Sequence, residues 1–356
     1  MYLPPPNNIS TTKLAQLFNS TSATYKFYWF ISILEIYGRK QEQKISFEEI
    51  LTRMIANAWY PIHYFKLSFG QQDMLSDYIK SIQLITNLPI DADKNKIQQT
   101  LLSSDNVKVW SMINNLSNNV PYRFLSPWIK FSSTREVIEK SNVFSNDCLY
   151  SIEESPKKMI LLNDKWCNYL TENHMVLIDF CYWNLTMYLQ TKNPNVPDIP
   201  NKLVKPIVRN GLAKQRDYWG VVFDHQPEIE CIYTGKMLTR SAYDLDHFIP
   251  WSFVAHDLQW NLLPSENFTN ISKGNKLPPL DLYLPKFVET QKRGLEIVFK
   301  AQPNNKRLED FTMFGYSASD LALMPLEKFN EIYYKTMSPM VQIAENMGFE
   351  KWNRIL

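Results

Sequence analysis

Five polar residues within one stretch could do chemistry: Asp246, His247, Asn261, Asn270 and Lys273. A carboxylate at 246 and an amide oxygen at 270 are hard oxygen donors. Mg²⁺ accepts one or two of these from protein and takes the rest from water and phosphate. His247 titrates near neutrality and suits the removal of a proton from water. Together they suit a single-metal phosphodiesterase. Singly they mean little: an Asp-His pair is more often surface or core, Asn261 a turn residue and Asn270 a helix-surface residue. The ordered set carries the argument.

The flanking residues say what positions the set. Tyr243, Leu245, Phe248 and Ile249 are strand formers around Asp246-His247, and Pro250 stops the run. Trp260–Leu263 is a second apolar run, closed by Pro264. Ser265-Glu266 is a helix entrance, after which Asn270 and Lys273, three apart, share a helical face. The outline is strand, loop, strand, helix. Adjacent residues on a strand point to opposite faces, so Asp246 and His247 can serve one substrate only at a strand end.

These residues resemble the ββα-metal, or HNH, nuclease motif, and are similar to its variant in the HNH domains of RNA-guided type II CRISPR effectors. There an Asp-His pair is followed by two Asn residues, 14 and 23 positions after the His, as Asn261 and Asn270 are here. Asn270-x-x-Lys273, the closing Leu277-Pro278 and the upstream turn Cys231-Ile-Tyr-Thr-Gly235 also match, over roughly residues 225–280. The third motif position is Asn rather than the more common His, and the paired Cys-x-x-Cys zinc motifs of many HNH proteins are absent.

The resemblance implies roles. His247 would deprotonate the attacking water, with Asp246 and Asn270 holding one Mg²⁺ or Mn²⁺ and no zinc. Asn261 would support the catalytic loop through a hydrogen bond to the segment carrying His247. Lys273 would contact a phosphate. Apart from the resemblance, Lys276 and, from the basic run before the motif, Lys214 and Arg216 are further candidates for nucleic-acid phosphate contacts.

The remainder reads as frame. The chain has 356 residues, 45% hydrophobic and 14% aromatic, which implies two or three domains with substantial cores. A net charge of +2 gives no global basic field, so phosphate contacts must be local. Nine glycines disfavour a Gly-rich nucleotide-binding architecture. Cys148, Cys167, Cys181 and Cys231 form no CxxC pair, which makes zinc and disulfides unexpected and reduced cytoplasmic thiols the default. His174, seven residues before Cys181, is a poor partner for a nucleophilic thiol. Residues 1–10 do not form a signal peptide, and Tyr25–Tyr37 is too short and interrupted to span a bilayer.

Ser46-Phe-Glu-Glu49 is a capping box leading a helical face through Ala58. The aromatics of 58–70 fit core packing better than base stacking, with His63 at a core or rim position. Helices are expected over 71–86, 94–103, 175–189 (buried), 286–301, 320–324, 326–337 and 340–355, with 107–113 open between helix and strand and 120–127 a turn-rich connection. Asn193–Pro200, with Pro206, reads as an extended proline linker. The basic run Lys202, Lys205, Arg209, Lys214 and Arg216 is either a solvated helix face or a phosphate track.

The expected architecture is mainly α with an embedded α+β ββα-metal (HNH) module. The expected division is a mostly helical domain at 1–192, a linker at 193–206, the nuclease domain at 207–285 and a helical segment at 286–356. The expected activity is metal-dependent hydrolysis of DNA phosphodiesters, single- or double-stranded, and the resemblance implies 5′-phosphate and 3′-hydroxyl ends. One such module cuts one strand, so a double-strand break needs a homodimer or two nicks. The length and the lack of a second nuclease motif argue against a guided effector. The resemblance implies instead a standalone prokaryotic endonuclease of restriction, phage defence or a mobile element, expected in the cytoplasm, with DNA and a homodimer or companion defence protein as partners and no membrane. The competing expectations are an RNA-directed nuclease and a non-catalytic module that only grips nucleic acid.

Overall fold

The structure is a computed structural model and describes residues 3–5, 9–143, 147–205 and 211–353. Pro206, Arg209, Ile355 and part of 1–10, on which some sequence readings rest, lie outside that set. Helices dominate, and the strands form three small antiparallel sheets. No described helix is long and apolar enough to cross a membrane. The chain divides into two compact units, one of residues up to Pro194 with Ile199–Lys205, the other of Asn195–Asp198 with 206 onward.

In the first unit, α1 (Tyr25–Lys40) and α2 (Phe47–His63) form the centre. Ser46 caps α2, its hydroxyl accepting from the Glu49 N–H at 3.2 Å. Trp59, Phe65 and Phe69 are buried, so the 58–70 aromatics are core. Three strands, β1 (Lys44–Ser46), β2 (Tyr150–Glu153) and β3 (Met159–Leu162), pair in the order β1-β3-β2. The 107–113 stretch is helical within Val107–Leu116, and the 120–127 connection contains a short helix, Val120–Phe124.

The helix α3 (His174–Lys192) buries Leu177, Phe180, Cys181, Leu185 and Leu189 but exposes Met175, Trp183 and Met187, so it is half-buried rather than buried. Burial holds the Cys181 thiol well above its usual pKa, which leaves no thiolate for nucleophilic chemistry. The proline-rich stretch is not extended throughout: Ile199–Lys202 is a 3₁₀ turn whose Ile199 and Lys202 are buried in the first unit.

The second unit is built on α4 (Ala213–His225), the hairpin of β4 (Glu228–Glu230) and β5 (Met237–Thr239), and the pair β6 (Asp244–His247) and β7 (Leu262–Ser265). The helices α5 (Asn267–Lys273), α6 (Leu280–Ala301) and α7 (Leu326–Asn346) complete it. The expected boundary at 285 falls inside α6, and α7 continues through Pro339 where a break was expected. Phe248, Trp260, Phe287, Phe314 and Tyr333 share one core, so 286–356 is not a separate packing unit. Two ties make this concrete. Gln291 of α6, fully buried, donates to the Leu262 carbonyl at 2.6 Å. Near the chain's end, Trp352 N–H donates to the Leu277 carbonyl and Leu277 N–H to the Glu350 carbonyl, both at 2.8 Å.

His63 offers a test of the first unit. Its ring packs 4.5 Å from Trp59, Nε2 is buried without a hydrogen-bond partner, and burial pushes its pKa down to about 4. A hydrogen bond to the Ile79 backbone opposes the shift without cancelling it. Because the unfolded chain protonates near 6.5, it binds the proton first, and stability should fall as pH drops from about 6.5 toward 4. Urea unfolding of wild type and His63→Gln across that window should show a steeper acid loss in wild type; equal slopes would refute the assignment.

Candidate active site

The site grows out of the β6–β7 pair. Phe248 N–H donates to the Asn261 carbonyl at 2.9 Å. Antiparallel alternation then makes Leu245 and Pro264 a non-hydrogen-bonded pair, so Pro264 removes no ladder bond and β7 continues to Ser265. The Leu245 carbonyl, turned away from the ladder, instead meets the Asn270 Nδ2 of α5 at 3.4 Å. The helix carrying Asn270 is thereby fastened to the strand carrying Asp246 and His247.

Asp246 is 3% exposed, and both its oxygens accept hydrogen bonds. Tyr233 donates to Oδ2 at 2.7 Å and Lys273 to Oδ1 at 3.0 Å. Tyr233 comes from the Cys231–Gly235 turn, closed by Gly235 N–H on the Cys231 carbonyl at 2.8 Å, with Gly235 at φ 74° where a side chain would be strained. Burial first, and the Asp246 charge second, hold the Tyr233 phenol well above its ordinary pKa, so it stays a donor.

Lys273 was expected to contact phosphate. It is 1% exposed instead, its ammonium on Asp246 and, at 2.6 Å, on the His247 carbonyl. A cation sealed in this way holds the site together and does not reach a substrate. Arg216 is likewise engaged: it lies over the Tyr243 ring at 5.2 Å, donates to the Tyr243 carbonyl at 3.2 Å and approaches Asp244 at 3.5 Å. Lys214 and Lys276 are exposed. In the basic run, Lys202 is buried and Lys205 lies over Tyr60 near Asp91.

Asn261 is fully buried; its amide accepts from the Ile249 N–H at 2.9 Å and donates to the Ile249 carbonyl at 2.8 Å. It clamps the chain two residues beyond His247. His247 is buried, its side chain 8% exposed, and its Nε2 lies 2.8 Å from Oδ1 of Asp257. Sequence reasoning missed Asp257 and Tyr233 as members of the site. Tyr233 stood in a matched turn, but its contact with Asp246 is visible only in the fold; nothing in the spacing marks Asp257.

The donor set fits a hard divalent cation. Each Asp246 oxygen keeps a second lone pair after its one hydrogen bond, and the Asn270 amide, oriented by its Nδ2 bond, has its oxygen as the remaining acceptor. Among the described residues no group of three His, Cys, Asp or Glu side chains could hold an ion. A cation here would therefore draw most of its ligands from water and substrate.

A family model described as HNH endonuclease matches residues 231–279, which takes in the Tyr233 turn, β6, β7 and α5. HNH nucleases usually use divalent metal ions. No curated protein and no solved structure matches the chain.

The burial of Lys273 gives a test. Lys273→Met would leave the Asp246 charge without its cation, and breaking such a buried pair costs about 3–5 kcal/mol. Urea unfolding should show that loss. A variant of unchanged stability with weakened DNA binding would restore the phosphate-contact role.

Proposed function

We propose that residues 231–279, which belong to the HNH endonuclease superfamily, work as a single-metal nuclease hydrolysing DNA phosphodiester bonds. The observation that carries this reading is the fastening of α5 to β6. It sets the Asn270 amide beside the strand that ends in Asp246 and His247, with the Asp246 carboxylate held by Tyr233 and Lys273.

His247, at the last position of β6, takes the proton from the attacking water. Asp246 and Asn270 hold one Mg²⁺ or Mn²⁺, which when bound supplies positive charge to the phosphate and the leaving oxygen. Asn261 keeps the backbone after His247 in place through Ile249. The exposed Lys214 and Lys276 contact the nucleic-acid backbone. With a net charge of +2, that binding is modest and salt-sensitive. The context we assign, prokaryotic restriction or phage defence, rests on the motif's resemblance, and the neighbouring genes test it.

One observation favours a second reading, in which the module grips nucleic acid without cutting: the Lys273 ammonium already compensates the charge of Asp246. The two readings separate in one assay. Supercoiled plasmid with Mg²⁺ or Mn²⁺ should be nicked by wild type and spared in EDTA. His247→Ala should lose on the order of 10²–10⁴ in cleavage rate while retaining gel-shift affinity. Parallel single-stranded DNA and RNA substrates fix the preference. A wild-type protein that binds but cuts none of them with either ion would establish the gripping module.

A further inference from the structure

We infer that Asp257 is a positioning residue for the proposed reaction: its carboxylate fixes the His247 imidazole in the tautomer that presents Nδ1 as the base. The inference rests on the nuclease reading and adds to it a residue that neither the motif nor the family match assigns a role.

The geometry carries it. Oδ1 of Asp257 lies 2.8 Å from Nε2 of His247, and the two side chains are 21% and 8% exposed. A carboxylate accepts hydrogen bonds and donates none, so Nε2 must carry the proton in this contact. In the neutral ring the lone pair is then on Nδ1, because the bond made by one ring nitrogen decides the state of the other. When Nδ1 takes a proton from water, the ring becomes a cation, and the charge of Asp257 at 2.8 Å stabilises it. No proton passes to Asp257.

The loop bearing Asp257 is built to hold that position. The short helix Trp251–Val254 ends at Ala255, whose φ of 58° turns the chain back toward β6. Gln215 of α4, itself 7% exposed, donates from Nε2 to the Asp257 carbonyl at 2.7 Å. Two residues on, Gln259 N–H donates to Oδ2 of Asp310 at 3.0 Å. Asp310 is also met by Arg307 at 3.4 Å. The loop is thus tied on one side to α4 and on the other to the segment Lys306–Phe314. Asn261 independently fixes the backbone beyond His247. Both partners of the Nε2 contact therefore sit on restrained backbone, and the contact does not depend on a free surface loop.

Asp257→Asn separates positioning from packing, since the side chain keeps its shape but can donate Nδ2–H to Nε2 and so select the opposite tautomer. Cleavage of plasmid DNA by the full chain should fall on the order of 10²–10⁴ in kcat with KM little changed. The thermal midpoint should stay that of wild type. ¹⁵N NMR of the imidazoles, five in this chain, should show the Nε2–H form at His247 in wild type and the Nδ1–H form in the variant. Wild-type kcat in Asp257→Asn, or an Nδ1–H tautomer in the wild-type protein, overturns the proposal. If wild type itself fails to cut, the nuclease reading falls instead, and the tautomer comparison still decides whether Asp257 sets the state of His247.

Discussion

The ammonium of Lys273 on the carboxylate of Asp246 is the contact on which the arrangement of the site depends. Both groups are almost wholly withdrawn from water. Removing two such ions from solvent costs several kcal/mol each, and attraction between them repays this only where the remaining hydrogen-bonding capacity is also met. Here much of it is: Tyr233 takes the second carboxylate oxygen, and the His247 carbonyl takes a second Lys273 proton, while each carboxylate oxygen keeps one lone pair. The network joins the end of α5, the end of β6 and the turn before β5, so the three segments that carry the polar set are held by one cluster. A network of this kind is worth having only when its members are paired, since each unmet one is a buried polar group or charge.

That same contact shapes the electrostatics of the proposed reaction. A bare carboxylate pair would attract a divalent ion by itself. Asp246 is already compensated, so an ion adds charge to a neutral pair, and the Asn270 amide brings no charge to offset it. On the nuclease reading, the missing negative charge comes from the phosphate being cut, as is usual where Mg²⁺ binds through few protein ligands. Ion and substrate then assist each other's binding.

Much of this was legible in the sequence and some was not, for physical reasons. The strand-loop-strand-helix order around 246–273 could be read because it is local: apolar runs closed by proline, then a polar helix entrance. The helical character of the chain followed from periodicity and the Ser46 cap. The short strands β2 and β3 were not legible, because four residues give too few alternations to separate from a helix or a loop. Side-chain partners were also hidden. Lys273 was read as a phosphate contact from the motif resemblance, and only the fold brings a buried carboxylate beneath it. Asp257 is silent in sequence, since its position depends on Gln215 and, through Gln259, on Asp310, 42 and 51 residues from the groups they bind.

The match to a nuclease family covers residues 231–279, yet those residues could not form this site unaided. They contribute β5 and two more strands, β6 and β7, which among the described residues form a two-stranded sheet, and an isolated two-stranded pair is marginal in water. Burial has to come from elsewhere. It comes from α4 on one side, where Trp219 approaches α6 so closely that a Cβ at Gly294 would stand 3.3 Å from its ring. It comes also from α6 and α7: Phe287 packs tilted on Phe248 and edge-on to Tyr333, which meets Phe314 and Phe329 in tilted contacts. Gln291 satisfies a carbonyl of β7 that the short sheet cannot, and the chain near Trp352 pairs with Leu277 just past α5. The polar set supplies the chemistry, but the helices that the motif does not include hold its strands in register.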